Sequence, residues 1–272
     1  LNQFMANATP LRAIVNSFFP PNPNPQSLIP NPQSPTMNEE SSCPDKVNLG
    51  DQARTHQTIQ EAVLGLWDVV NNLSSIQPPK SDRYRVTIFG SARLKPDTPL
   101  YNGIKNLSSE LTTMGCDIIT GGGPGLMQAA NEGSVSADPE DKTQSVGIRV
   151  HLDYEQATNP FVEKVYHHRT FFSRLHHFVL VSDAFVIVPG GIGTTLETLM
   201  IWQLLQVRQL QDKPLIAIGQ MWSELVTWAE KNMVDIESPM ASAKDMKILQ
   251  CVDSCDEAIA LLKEAHKSWN SD

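Results

Sequence analysis

Short apolar runs alternate with amphipathic stretches from Arg85 to the end of the chain. Residues 86–89 read as a strand that ends at Gly90-Ser91-Ala92-Arg93. Thr98-Pro99 offers an N-cap with proline at the first helical position, and Gly115 closes that helix. Residues 116–120 form a second strand candidate, which runs into Gly121-Gly122-Gly123-Pro124-Gly125, and a helix follows over 126–136. Strands are expected at 146–150 and 161–167, then a helix over 170–181 and a strong apolar strand over 184–188. A helix over 193–209, a strand over 214–218, a helix over 222–233 and a strand over 248–252 continue the alternation. Ser254 to Glu257 has capping-box spacing and opens a last helix carrying Ala258, Ile259, Leu261, Leu262 and Ala265.

Strands without an in–out alternation are buried on both faces. Their regular exchange with helices predicts an α/β fold, a Rossmann-like doubly wound parallel sheet with helices on both faces. Ligands in such sheets sit at the carboxyl ends of the strands. The glycine turns follow strands, so Ser91, the Gly121 turn and the Gly190 turn are expected on one edge.

The first part of the chain breaks this pattern. Pro20-Pro21-Asn22-Pro23-Asn24-Pro25 and Pro30-Asn31-Pro32 cannot sustain a helix or a ladder, so residues 1–50 are expected to form a disordered Pro/Asn-rich tail. Ile59, Ala62, Val63, Leu66, Val69, Val70 and Leu73 fall at helical spacing, and Pro78-Pro79 ends that run. Residues 51–80 are therefore expected to be a helix and linker, packed on the main domain or on a second subunit. Residues 81–272 would form the Rossmann-like domain itself.

Charge narrows the choice of partner. Lys plus Arg is 21 and Asp plus Glu is 30, a net charge of −9, which argues against nonspecific binding to nucleic acid or anionic membrane. No apolar run approaches the roughly 20 residues of a membrane helix, and no basic-then-apolar leader opens the chain. Cys43, Cys116, Cys251 and Cys255 show no metal-type spacing, so a cytoplasmic protein with reduced thiols is expected.

The candidate chemistry lies in Val186-Ile187-Val188-Pro189-Gly190-Gly191-Ile192-Gly193-Thr194-Thr195-Leu196-Glu197. A strand end, a glycine turn and a helix N-terminus present free N–H groups and the positive end of a helix dipole, which together suit a phosphate. A dinucleotide fingerprint fails, because its third glycine would fall at Leu126 or Leu196. A Walker A loop fails too, since neither turn supplies Gly-Lys-Ser/Thr. With no lysine in either loop, backbone N–H groups, helix dipoles and the hydroxyls of Thr194 or Thr195 would hold the phosphate. Glu197 follows Thr194 by about one helical turn and would act on whatever carries the phosphate.

Gly121-Gly122-Gly123-Pro124-Gly125-Leu126-Met127, paired with Pro189 to Glu197, resembles the LOG ("Lonely guy") family, whose second signature is PGGxGTxxE. The similarity spans about residues 85 to 265. It implies a dimer or larger homo-oligomer that cleaves the N-glycosidic bond of nucleoside 5′-monophosphates, giving free base and ribose 5-phosphate. Cytokinin-type or AMP-like purine nucleotides are the implied substrates, and no cofactor or metal is implied. Glu197 matches the catalytic glutamate. Phe171-Phe172-Ser173-Arg174-Leu175 precedes Ser182-Asp183-Ala184-Phe185 at the family's distance, so Arg174 takes the catalytic arginine's role. Glu155 matches an upstream acidic position that contacts substrate in relatives. Ser91, Gly121, Gly122, Gly123, Gly125, Met127, Gly190, Gly191, Gly193, Thr194 and Thr195 complete the implied substrate site. Three positions depart from the family: Leu175 replaces a lysine, Met200 a glutamate and Gln203 a threonine. A carrier or sensor that binds nucleotide without hydrolysis is the rival these departures favour. The family's older label, lysine decarboxylase, finds no lysine here that stands out as a Schiff-base site.

Other residues have plainer readings. His167-His168 and His176-His177 each offer at most one ligand in a given direction, and no metal site is expected. His177 follows Arg174 by three residues and would share its side of the helix. Trp202, Trp222 and Trp228 suit core or subunit packing. Met127 would touch the base or fill the core, Arg93 is a surface charge or a nucleotide contact, and Asp183 caps a strand.

Overall fold

A computed structural model describes residues 52–74, 81–151 and 157–271. The expected tail and Glu155 lie outside the described residues. A helix, α1 (Gln52–Ser74), comes first, and the chain divides into two units at Val70–Asn71, within it. The second unit carries the sheet and the glycine turns.

In chain order this unit contains β1 (Arg85–Phe89), α2 (Pro99–Thr113), β2 (Asp117–Thr120), α3 (Leu126–Ala137), β3 (Ser145–Val150), β4 (Lys164–His168), α4 (Phe171–Val181) and β5 (Ala184–Ile187). It continues with α5 (Ile192–Gln206), β6 (Leu215–Ile218), α6 (Gln220–Ala229), α7 (Ala243–Met246), β7 (Leu249–Val252) and α8 (Cys255–Ser271). The strands form a seven-stranded sheet in the order β4-β3-β2-β1-β5-β6-β7, with every pair parallel. The order runs outward from β1 in one direction and resumes from β5 in the other. The junction of β1 and β5 is the topological switch point where such sheets bind ligands.

The period of two along each strand sorts the core into two layers. Val86, Ile88, Ala184, Val186, Ile216 and Ile218 face one cluster, with Ile104, Leu107 and Leu111 of α2 and Leu262 of α8. Phe89, Phe185, Ile187, Leu215 and Ala217 face the other, with Phe178 of α4, Ile201 of α5 and Trp222 of α6. Helices therefore cover both faces, the doubly wound arrangement. Phe89 and Phe178 meet edge to face at 4.9 Å between ring centroids, which locks α4 onto the sheet.

Local signals place the helix starts. Thr98 Oγ1 accepts the Tyr101 N–H at 3.3 Å, and Thr170 Oγ1 accepts the Ser173 N–H at 3.2 Å. The Ser254 cap is only half of a box: Ser254 Oγ accepts from Glu257 N, while Glu257 Oε2 accepts from Asp253 N. Three boundaries differ from the apolar pattern. β4 starts at Lys164 because Phe161 is bonded elsewhere, its N–H to Asn159 Oδ1 and its carbonyl to Ser145 Oγ. α5 stops at Gln206, where Arg208 turns the chain with φ 58°. α6 ends at Ala229 and passes into a π-helical turn (Glu230–Val234). The short α7, opened by a Ser242–Asp245 capping box, escapes the apolar pattern altogether. Among the described residues, no helix is long and apolar enough to cross a membrane.

Candidate functional site

Three turns meet at the carboxyl edge of β1, β2 and β5. Ser91 N–H donates to Pro189 O at 3.1 Å, and Ser91 O accepts the Leu126 N–H at 2.8 Å. One serine backbone thus ties the turn after β1 to the turn after β5 and to the start of α3. Gly125 permits this closeness. A Cβ there would run into Ser91 O and lie 2.7 Å from the Ala92 carbonyl carbon, and its φ of 72° favours glycine in any case.

The turn after β2 is wired into the protein. Thr120 Oγ1 accepts the Gly122 N–H at 2.9 Å. Gly122 O accepts from Arg149 Nη1 at 2.8 Å and from Asn159 N at 3.0 Å. Gly123 O accepts from Asn159 Nδ2 at 2.9 Å. Met127 lies across the turn: a Cβ on Gly121 would sit 2.7 Å from its Sδ, and one on Gly123 would sit 2.7 Å from its Cε. It remains half-buried, so it fills space beside the turn without leaving the surface.

The turn after β5 is open. Gly191 and Gly193 have nothing within 4 Å of an added Cβ, and both are exposed. The N–H groups at the start of α5 face this space. Thr194 is buried, with its side chain packed beneath Gly190. Thr195 Oγ1 donates back to Gly191 O at 3.1 Å. Its hydroxyl hydrogen therefore belongs to the helix start.

Arg174 and Glu197 meet where these two turns approach. Arg174 Nη1 lies 2.9 Å from Glu197 Oε1, and both side chains are nearly buried. Arg174 Nε donates to Ile148 O at 2.9 Å, and the guanidinium rests over the Phe178 ring at 5.1 Å. Its Nη2 faces Gly121, where a Cβ would come within 2.5 Å. The fork is thus held on several sides, and its contact with Glu197 is one of orientation. Glu197 lies on the face of α5 that buries Thr194, Thr198 and Ile201. Burial raises its carboxyl to about 7, against the opposing pull of Arg174. A carboxyl poised near neutrality can exchange a proton during a reaction cycle.

The histidines serve a different place. His168 Nε2 lies 2.9 Å from His177 Nδ1, and His168 Nδ1 lies 3.1 Å from Ser173 Oγ. Tyr166 meets the His177 ring edge to face. His177 therefore turns toward β4, while Arg174, one turn earlier, turns toward β3. Burial, helped by the neighbouring His168 and His176, lowers His177 to about 4 and keeps it neutral. Among the described residues no group of three His, Cys, Asp or Glu is placed to hold a metal.

The remaining candidates take ordinary positions. Asp183 Oδ2 accepts the Arg85 N–H at 2.9 Å, a strand-end contact. Arg93 is exposed, and its N–H donates to Ser91 Oγ. Trp202 and Trp222 are buried and Trp228 is 54% exposed. Leu175 is buried in α4, where a lysine would have to desolvate its charge, whereas Gln203 is exposed on α5. Three residues around the first turn escape the sequence reading: Asn131, Arg149 and Asn159. Each is buried, and each is joined to the turn or to its anchors over long sequence separation. No local pattern marks them.

Comparison with known proteins agrees with this architecture. A family model described as "possible lysine decarboxylase" matches residues 127–262, half of the chain. A molybdenum cofactor binding protein from the phototrophic bacterium Rippkaea orientalis is 18% identical, with a TM-score of 0.51 over 68% of this chain and 98% of its own. The molybdenum cofactor carrier protein of Chlamydomonas reinhardtii is also 18% identical, with a TM-score of 0.50 over 67% of this chain and 98% of its own. These likenesses establish the shared fold. No curated protein matches the chain.

Proposed function

We propose a function from one premise: the chain belongs to the LOG ("Lonely guy") family, the family of the model that matches residues 127–262. On this reading the protein hydrolyses the N-glycosidic bond of purine nucleoside 5′-monophosphates, of cytokinin or AMP type, to free base and ribose 5-phosphate. The observation that carries it is the buried pair of Arg174 and Glu197, 2.9 Å apart beside the open start of α5. The phosphate would rest on the N–H groups of residues 191–194, at the positive end of the helix. Cleavage passes through a sugar with oxocarbenium character at C1′. Glu197, as carboxylate, would stabilise that charge and deprotonate the attacking water. Arg174 holds Glu197 in place through its planar fork. Binding energy from the phosphate would position the bond that breaks.

The description as a decarboxylase gains no support. Lys213, a half-buried lysine, lies before β6, away from the glycine turns, and its amine donates to Val179 O and Ser182 O. A second reading keeps the ligand and drops the reaction. The departures at Leu175, Met200 and Gln203 favour it, and both similar structures are named for binding or carrying a cofactor. One experiment separates the two: incubate the full chain with a panel of nucleoside monophosphates, and measure both binding and the release of base and ribose 5-phosphate. Release supports hydrolysis. Binding without release supports the carrier, and neither would sink the site assignment.

A homodimer belongs to the same proposal. Ile192, Leu196 and Leu199 repeat at helical spacing on the outer side of α5, and they are 88%, 49% and 46% exposed. A second copy would cover this stripe. A monomer by sedimentation at micromolar concentration would contradict it.

A further inference from the structure

Asn159 is buried at 5% exposure and bonded through every polar group it offers for pairing in this loop. Its N–H donates to Gly122 O at 3.0 Å, and its Nδ2 donates to Gly123 O at 2.9 Å and to Asn131 Oδ1 at 3.0 Å. Its Oδ1 accepts the Phe161 N–H at 3.1 Å. Asn131 is fixed in turn: Oδ1 accepts from Thr120 Oγ1 at 2.7 Å, and Nδ2 donates to Ser145 Oγ at 2.9 Å. Reversing either amide would set oxygen against oxygen, so the network has one orientation.

This network controls a peptide plane. A trans peptide points its C=O and N–H in opposite directions. Asn159 and Arg149 hold the Gly122 carbonyl on their side, so the Gly123 N–H faces the other way. The next peptide has no hydrogen to offer, because Pro124 lacks an N–H. Gly123 is buried, and no acceptor for its N–H occurs among the described residues. A buried N–H without a partner is rare in a folded protein and points to a group that arrives from outside. The turn borders Arg174, whose Nη2 faces Gly121.

We propose that Asn159 is a positioning residue that, with Asn131 and Arg149, turns the Gly123 N–H toward an oxygen of the ribose 5-phosphate part of the ligand. The proposal rests on the ribonucleotide reading above. The site would then have two sets of donors: the open start of α5, and this single amide aimed by a buried network.

The test uses the full chain and ribose 5-phosphate as probe. Amide exchange resolved by NMR should show the Gly123 N–H slowed about tenfold or more when the probe binds. Asn159→Ala and Asn159→Ser, folded by circular dichroism, should each weaken probe binding about tenfold. Thr112→Val removes the buried Thr112–Ser134 hydrogen bond between α2 and α3, away from the turn, and should leave binding within about twofold of the parent. With nucleotide as substrate, the Asn159 variants should raise KM far more than they lower kcat. Exchange is measured on the unmodified protein, so a variant that fails to fold does not decide the matter. If the probe slows residues 191–194 and leaves Gly123 unchanged, the Asn159 assignment is wrong and the ribonucleotide reading stands. If the probe does not bind, both fall.

Discussion

A methyl group added to Gly121, Gly123 or Gly125 would strike atoms already in place, whereas one added to Gly191 or Gly193 would meet nothing within 4 Å. The two glycine-rich turns thus solve different problems with the same residue. After β2, glycine lets buried groups come together: Arg149 and Asn159 behind the turn, Arg174 and Met127 beside it. After β5, Gly190 makes room for the Thr194 side chain, while Gly191 and Gly193 leave open a helix start that faces outward. The first turn is a frame and the second is a mouth. Glu197 hangs from the helix of the mouth, and Arg174 connects it to the frame.

The largest effect should come from Glu197, because this division assigns the chemistry to the second turn's helix. Glu197→Gln keeps the shape and the Arg174 contact but removes the carboxylate proposed to act as base. Base release should fall about a hundred- to ten-thousand-fold, the range for losing a general base, with ribose 5-phosphate affinity little changed. Equal rates of base release in parent and variant would remove Glu197 from the mechanism.

The frame should fail differently. Gly125→Ala forces a side chain into a left-handed backbone and against Ser91 O. The strain and overpacking should cost about 2–5 kcal/mol of stability, read by urea denaturation. A parent-like denaturation midpoint would mean that the three turns are less tightly tied than Ser91 implies.

Arg174 joins the two regions, and its effect should appear in the pH profile. If Glu197 acts as carboxylate, base release should rise with pH through a midpoint near 7. Arg174→Gln removes the cation that opposes the effect of burial, so the midpoint should move up by about a unit or more, along with a lower rate. The same group fixes a sign for stability. The folded carboxyl titrates above its unfolded value of 4.5, so its contribution is full below about 4.5 and is lost as pH rises through about 7. An unmoved midpoint in Arg174→Gln would assign the pH dependence to another group.

The same two regions mark how far the sequence could be read. The strands were legible because burial on both faces writes a continuous apolar run, and the glycine turns because each follows such a run directly. Arg174 and Glu197 lie 23 residues apart on different helices, and family resemblance, not spacing, paired them. The mouth is local in sequence, so nearly all of it was visible. The frame is not. Asn131 and Asn159 meet across 28 residues, one from the middle of α3 and one from a loop before Pro160, and nothing in either segment names the other. His177 shows the converse: three residues from Arg174 put it on the expected helix, but Tyr166 and His168 of β4 drew its ring away from the site.

The smallest effect tests the mouth itself, and its value lies in two opposite signs. Gly193 is the second residue of α5 and is free of neighbours, so alanine fits without strain. Gly193→Ala should stabilise the fold by about 0.5 kcal/mol, since glycine costs more backbone entropy than alanine in a helix. In a helix each Cα–Cβ bond tilts toward the N-terminus, so the new methyl leans over the space where a phosphate would rest. Affinity for ribose 5-phosphate should fall about fivefold, equivalent to roughly 1 kcal/mol. Thermal denaturation and calorimetric titration on one preparation give both numbers. A variant that gains stability and keeps its affinity would place the phosphate away from this helix start. The mouth would then be an exposed turn, and the donors would have to be sought in the frame.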